Sequence, residues 1–292
     1  MKDDVPSRTA QGTALIRAAH QILDRPRVFE DPLAVPIIGR EIASALASGP
    51  REPLRLGSRH LRAFVAVRSR YAEDELAAAV QRGVRQYVVL GAGLDTFAYR
   101  NPYSASGLRV FEVDHPSTQT WKKKRLELAG IVIPASLTFV AVDFEQQLLS
   151  ERLKESGLDS GAAAFFAWLG VTPYLTREAA LATLSLVASM PAGSGVVFDY
   201  VVPRCSLASR QQSGRDALVD RVERAGEPFR LFFEPEELAG LLKNAGFRDI
   251  EDLGPQEIYA RYFADRADGL GAAGSAHLVS ARVTPAGNSG RA

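Results

Sequence analysis

The chain has 292 residues, 46% of them hydrophobic and 24% charged, with a formal net charge of +1. That length and mix allow one large α/β domain with an added lobe or two small domains, and the near-neutral balance argues against a nucleic-acid binder that works through a broad basic surface. A single cysteine, a polar first ten residues and no apolar run near the ~18 residues of a membrane span give the expectation of a cytoplasmic protein with no internal disulfide, membrane partner or nucleic-acid partner.

In chain order, residues 8–23 carry Ala14, Leu15, Ala18, Ala19 and Ile22 at helical spacing. Pro26, Pro32 and Pro36 interrupt the pattern, which resumes over residues 37–47. A long amphipathic helix is predicted over 58–81, with Phe64, Val67, Tyr71, Leu76 and Val80 near one face and Gly83 placed to end it. Strands and helices then alternate. The strands are 86–90 (QYVVL), 108–114 (LRVFEVD), 137–142 (LTFVAV), 163–169 (AAFFAWL) and 195–202 (GVVFDYVV), and the helices between them are 117–129, 145–154 and 177–189. The basic run from Lys122 to Arg125 reads as a solvated helix face. A further helix opens at Glu234-Pro235 and closes at Gly246, and two weaker strands lie near 247–253 and 277–283. Unbroken apolar strands separated by helices imply a Rossmann-like, seven-stranded, mostly parallel, doubly wound α/β sheet.

Ligands of such sheets bind at the carboxyl ends of the strands, so the residues there carry the functional reading. Gly91 and Gly93 follow the first strand and allow a tight turn with close backbone approach. A dinucleotide fingerprint would place a small residue at position 96, where this chain has Thr96, and would not place Asp95 beside a pyrophosphate. Asp95 suits a ligand with an ammonium group. Asp114 ends the second strand, where an acid can accept from ribose hydroxyls; Glu112 is a second candidate on the same strand face. Asp143 ends the third strand, positioned to accept from an adenine amino group, and Phe144 could stack on the base. Together these describe a nucleoside with a zwitterionic tail.

The segments 13–20 (TALIRAAH), 28–34 (VFEDPLA), 65–74 (VAVRSRYAED), 85–100 (RQYVVLGAGLDTFAYR), 110–116 (VFEVDHP) and 165–176 (FFAWLGVTPYLT) resemble the leucine carboxyl methyltransferase family of class I S-adenosylmethionine-dependent methyltransferases. The likeness is greatest to its bacterial branch of small-molecule O-methyltransferases. It covers most of residues 8–202, with a looser match over 232–246 and 259–263. The resemblance implies S-adenosylmethionine as cofactor and S-adenosylhomocysteine as product. It implies that Arg68 pairs with the methionine carboxylate, a bidentate match of guanidinium to carboxylate. Gly91 and Gly93 would then lie beside the methionine moiety, Asp114 on the ribose, and Asp143 and Phe144 on the adenine. One departure stands out: the family's carboxyl methyltransferases carry Ala-Glu-Gly after the fourth strand, and this chain has Trp168-Leu169-Gly170.

The expected organisation is a helical cap or lid over 1–57, a methyltransferase domain over 58–283 and a disordered tail over 284–292, as a monomer or homodimer acting on a small-molecule acceptor. Tyr174, His20 and His115 are candidates for contact with the acceptor oxygen or its proton. The rivals are a non-catalytic S-adenosylmethionine-binding module and an NAD-dependent oxidoreductase. A serine hydrolase is disfavoured by the lack of a G-x-S-x-G elbow, and a metal enzyme by the scattered His20, His60, His115 and His277. Cys205 has no partner in sequence that would mark it as a nucleophile.

Overall fold

The apolar runs form the middle of a single sheet. The computed structural model describes residues 7–48, 58–143, 147–224, 226–272 and 274–284. Its strands are β1 (Gln86–Leu90), β2 (Arg109–Asp114), β3 (Leu137–Ala141), β4 (Ala164–Trp168), β5 (Gly195–Val201), β6 (Phe247–Leu253) and β7 (Ala276–Val283). They lie in the order β3-β2-β1-β4-β5-β7-β6, with β1 to β5 parallel and β7 antiparallel between β5 and β6. The chain leaves β1 for β2 on one side and later returns to β4 on the other. The switch point therefore falls between β1 and β4, where a ligand crevice is expected.

Successive residues of a strand face opposite ways. Tyr87 and Val89 enter one core, under α4 (Arg59–Gln81), with Phe64, Val67, Tyr71 and Leu76. Val88 and Leu90 enter the other, under α6 (Leu149–Glu155), α7 (Arg177–Ala188) and α9 (Pro235–Ala245), with Leu153, Leu184, Leu238 and Leu242. Burying side chains such as Phe165, Phe166 and Phe198 stabilises the sheet by about 2–3 kcal/mol each. A third, smaller core joins α1 (Arg8–Leu23), α2 (Ala34–Ile38) and α3 (Arg40–Ser48) to α5 (Pro116–Ala129). It is built from Ala14, Ala18, Ile37 and Ile38 against Leu94 and Leu126.

Helix ends follow their capping residues. Ser58 Oγ accepts from Leu61 N at the start of α4, and Pro235 opens α9, which Gly246 ends at φ +110°. The helix expected over 37–47 is instead two, because Gly39 (φ +91°) breaks it. There the Arg125 side chain lies so close that a Cβ would stand 2.8 Å from its guanidinium. Two helices carry too little pattern to be read: α8 (Ser209–Arg224), whose apolar positions reduce to Ala217, Leu218, Val219 and Val222, and the short α10 (Pro255–Tyr262). The third inter-strand helix runs over Leu149–Glu155; its expected start at Glu145 lies outside the described residues, as do 1–6 and the 285–292 part of the expected tail.

The basic run on α5 corrects the expectation of a solvated face. Lys122 is buried, its Nζ 2.6 Å from Glu112 Oε2, and Arg125 Nε donates to Ile37 O at 2.9 Å. Lys123 and Lys124 are exposed. Glu112 is thereby buried beneath the strand end rather than open to a ligand, and burial pushes its carboxyl up to about 7 despite the Lys122 ammonium beside it. Among the described residues no helix is long and apolar enough to cross a membrane.

Candidate active site

Strand ends and helices α1, α4 and α8 converge near the switch point. Gly91 (φ +64°) and Gly93 (φ +46°) turn the chain out of β1 in the left-handed region. Gly91 has no space for a side chain and Gly93 has little. A Cβ at Gly91 would stand 2.3 Å from Val171 Cγ2, and one at Gly93 would stand 3.2 Å from Ala10 Cβ on α1. The Gly93 N–H donates to Asp114 Oδ2 at 2.6 Å and the His115 N–H to Oδ1 at 2.7 Å. Asp114 thus ties the end of β2 to the glycine turn. Burial raises its carboxyl pKa, and the two backbone N–H donors oppose that rise.

The residue that departs from a dinucleotide fingerprint has a local task. Thr96 is fully buried, and its Oγ1 donates to Asp31 Oδ2 at 2.7 Å. Arg17 of α1 places Nε 3.1 Å from the same carboxylate, Nη1 3.6 Å from Asp95 Oδ2, and donates through Nη2 to Leu94 O. The glycine loop and the N-terminal helices are therefore joined by a buried polar network. Asp95, expected on sequence to suit an ammonium ligand, faces the Arg17 guanidinium instead.

Beside this loop lies a cavity of about 540 Å³. Its walls come from the first two turns of α1, from α4, from the segment after β4, from β5, and from α8 with the stretch beyond it. Apolar side chains such as Leu15, Phe64, Val65, Val222 and Phe229 make up much of the wall. The polar part is a buried ion pair: Arg68 Nη1 is 3.1 Å from Asp199 Oδ2, with side-chain exposures of 10% and 5%. Gly170 (φ +70°) lets the guanidinium lie against the backbone, for a Cβ there would stand 2.7 Å from Arg68 Nη2. The Gly170 N–H also donates to Asp199 Oδ1. Tyr174, in the turn Thr172–Tyr174 after β4, lines the same cavity with its ring edge-on to Phe229 at 5.2 Å. Burial pushes its hydroxyl up to about 12. The wall formed by α1 is fastened from far along the chain. Glu227 accepts from Arg8 N (3.1 Å), Thr9 N (3.2 Å) and Ser7 Oγ (3.3 Å).

Of the residues singled out on sequence, Arg68 and Tyr174 share this cavity. Gly91, Gly93, Asp114 and Asp143 stand outside its wall, at the ends of β1, β2 and β3. Asp143 is half-buried, its N–H donating to Gln147 Oε1 at 3.1 Å. Phe144 lies outside the described residues. His20 is away from the cavity and fully buried. Its Nδ1 meets Asp24 Oδ2 at 2.9 Å and its Nε2 accepts from Val28 N at 3.1 Å. Both ring nitrogens being engaged, His20 is a joint of the helical segment and not a base for an acceptor. His115 caps α5, with Nδ1 2.8 Å from Ser117 Oγ. Among the cavity residues given no functional role on sequence, Gly170 and Asp199 form its polar part with Arg68. Asp199 did leave a trace, as the one charged residue in the strand GVVFDYV, buried along its whole length.

The family described as leucine carboxyl methyltransferase matches residues 10–188, from α1 through α7. The chain belongs to the leucine carboxyl methyltransferase family. YktD of Bacillus subtilis, which carries the name of an S-adenosyl-L-methionine-dependent methyltransferase, is 33% identical over 96% of this chain and 99% of its own length. A Saccharopolyspora erythraea protein of the same designation is 32% identical, over 91% and 92%. Crystal structures of a DUF574-family protein from Streptomyces avermitilis (19% identity, TM-score 0.57, 96% and 98% of the chains) and of a Thermobifida fusca protein titled a methyltransferase (17%, 0.57, 94% and 94%) share the fold. The chain is an α/β methyltransferase dependent on S-adenosylmethionine.

The residues of this methyltransferase fit that cofactor on their own geometry. The two positive-φ glycines present bare backbone at the end of the first strand, Asp114 presents a carboxylate at the second strand end, and the Arg68–Asp199 pair offers both signs of charge at a cavity wall. A zwitterionic amino acid attached to a nucleoside needs all three.

Proposed function

We propose that this methyltransferase transfers a methyl group to an oxygen of a small, largely apolar acceptor, and that the oxygen belongs to a carboxylate. The observation that carries the reading is the chemistry of the cavity wall. Among the described residues that line it, the single carboxylate is Asp199, held by Arg68, and no histidine is present. Tyr174, with its hydroxyl raised to about 12, stays protonated near neutral pH and serves as a hydrogen-bond donor rather than a base. A phenol or alcohol would need a base to remove its proton. A carboxylate is already ionised, and the apolar walls suit the rest of such a molecule.

S-adenosylmethionine, when bound, supplies a methyl group on a sulfonium that an oxygen nucleophile can displace in line. The chain's own contribution is binding, orientation and exclusion of water. Arg68, Gly91, Gly93, Asp114 and Asp143 would hold the cofactor. Tyr174 would orient the acceptor oxygen, and residues 1–57 would serve as the cap, with α1 closing one side of the cavity. A methyl-transfer assay over matched apolar carboxylic acids and phenols tests this. The expected result is turnover of acids with kcat/KM level from about pH 6 to pH 8, since neither the acceptor nor Tyr174 titrates there. A preference for phenols, with the rate climbing steadily over that range, would count against the carboxylate reading.

A further inference from the structure

We propose that Asp199 binds the α-ammonium group of the cofactor's amino-acid tail, with Arg68 beside it taking the α-carboxylate. The proposal rests on the S-adenosylmethionine reading of the site and deepens it.

Three observations converge. Asp199 sits in the interior of β5, a strand buried at every position, where an ionised side chain is costly unless paired. Its partners are the Arg68 guanidinium at 3.1 Å on one oxygen and the Gly170 N–H on the other. A carboxylate has roughly four lone-pair sites, so each oxygen keeps acceptor capacity beyond the single bond it makes here. Both side chains line the cavity rather than lying behind it. The two charges of an α-amino acid hang from one carbon and so present opposite signs at hydrogen-bond spacing. The Arg68–Asp199 pair presents the complementary signs at the same spacing.

The surrounding chain is shaped for this pair. Gly170 has no Cβ to displace the guanidinium, and its N–H steadies the carboxylate. Leu169, standing just before it, offers no charge and packs partly buried against the core under α4. On β4 the negative charge is therefore absent after the strand, and on the neighbouring β5 it is present in the cavity wall. Asp95, in the glycine loop, is not among the residues that line the cavity and lies 3.6 Å from the Arg17 guanidinium.

The test is calorimetric and needs no turnover. S-adenosylhomocysteine and its analogue lacking the amino group are titrated into the full-length protein and into Asp199→Asn, which keeps the shape and one acceptor but loses the charge. The wild type is expected to prefer S-adenosylhomocysteine by about tenfold or more, and the variant to bind both within about threefold, as removal of one charge-assisted hydrogen bond requires. An unchanged preference in Asp199→Asn overturns the assignment. If that variant does not fold, Arg68→Gln/Asp199→Asn removes both buried charges together and leaves no orphan; the preference for the amino group must vanish there too, and its survival overturns the assignment. Failure of the wild type to bind S-adenosylhomocysteine at all would instead overturn the cofactor reading on which this one stands.

Discussion

The two sides of the cleft are built on different plans. At the ends of β1 to β3, the turn is held by backbone geometry and by partners close in sequence, Gly93 to Asp114 across 21 residues and Asp114 to its neighbour His115. Across the cavity beside β4 and β5, the contacts join segments far apart: Arg68 to Asp199 across 131 residues and Arg8 to Glu227 across 219. The first plan gives a stiff seat that suits one unvarying group. The second assembles its surface from segments that meet only in the folded chain; beyond the Arg68–Asp199 pair, its helices and loops can change independently, which suits the part of the site that faces the acceptor. Arg17 is the bridge between them, since it reaches from α1 to Asp31, Asp95 and Leu94.

Cutting that bridge should have the largest effect. Arg17→Met leaves the fully buried Asp31 carboxylate with the Thr96 hydroxyl, the Leu33 N–H and the more distant Arg100, with no cation in close contact, and a loss of about 3 kcal/mol is expected in urea or thermal unfolding. A loss within error would show that the two sides are not coupled through this network. Next comes Asp114→Ala, expected to weaken both S-adenosylhomocysteine and 5′-methylthioadenosine by about 100-fold, roughly 2.7 kcal/mol, if the seat holds the nucleoside that the two share, as proposed. Calorimetry in which only one ligand is affected would break the division drawn above. Gly170→Ala acts on the opposite side. Its Cβ would push the Arg68 guanidinium away, so S-adenosylhomocysteine should weaken about tenfold while 5′-methylthioadenosine, which lacks the amino-acid tail, is untouched. Smallest is Val132→Ser, on a side chain 82% exposed and remote from either side, which should shift the unfolding free energy by under about 0.5 kcal/mol.

The same division explains what could be read in the amino-acid order. QYVVL followed by Gly-Ala-Gly declares a strand and its turn within eight residues, and Asp114 falls at a spacing that needs no tertiary information. Pro235 and Gly246 bracket α9 by local backbone chemistry alone. Lys122 misled because a helix's charged run says nothing about which member meets a buried acid on a strand. His20 looked available because the Asp24 carboxylate and the Val28 N–H that occupy it are matters of packing. α8 escaped notice since it shields the cavity with only a few apolar residues, and Asp199 was passed over because its partner lies on a helix 131 positions earlier.

Glu227 sets an order of events for the newborn polypeptide. The first turn of α1 acquires its carboxylate clasp only after the chain has been made as far as Glu227, 219 positions beyond Arg8. Before that, Arg17 and the small core can already hold the later turns of α1, so the clasp fixes only the turn that lines the cavity.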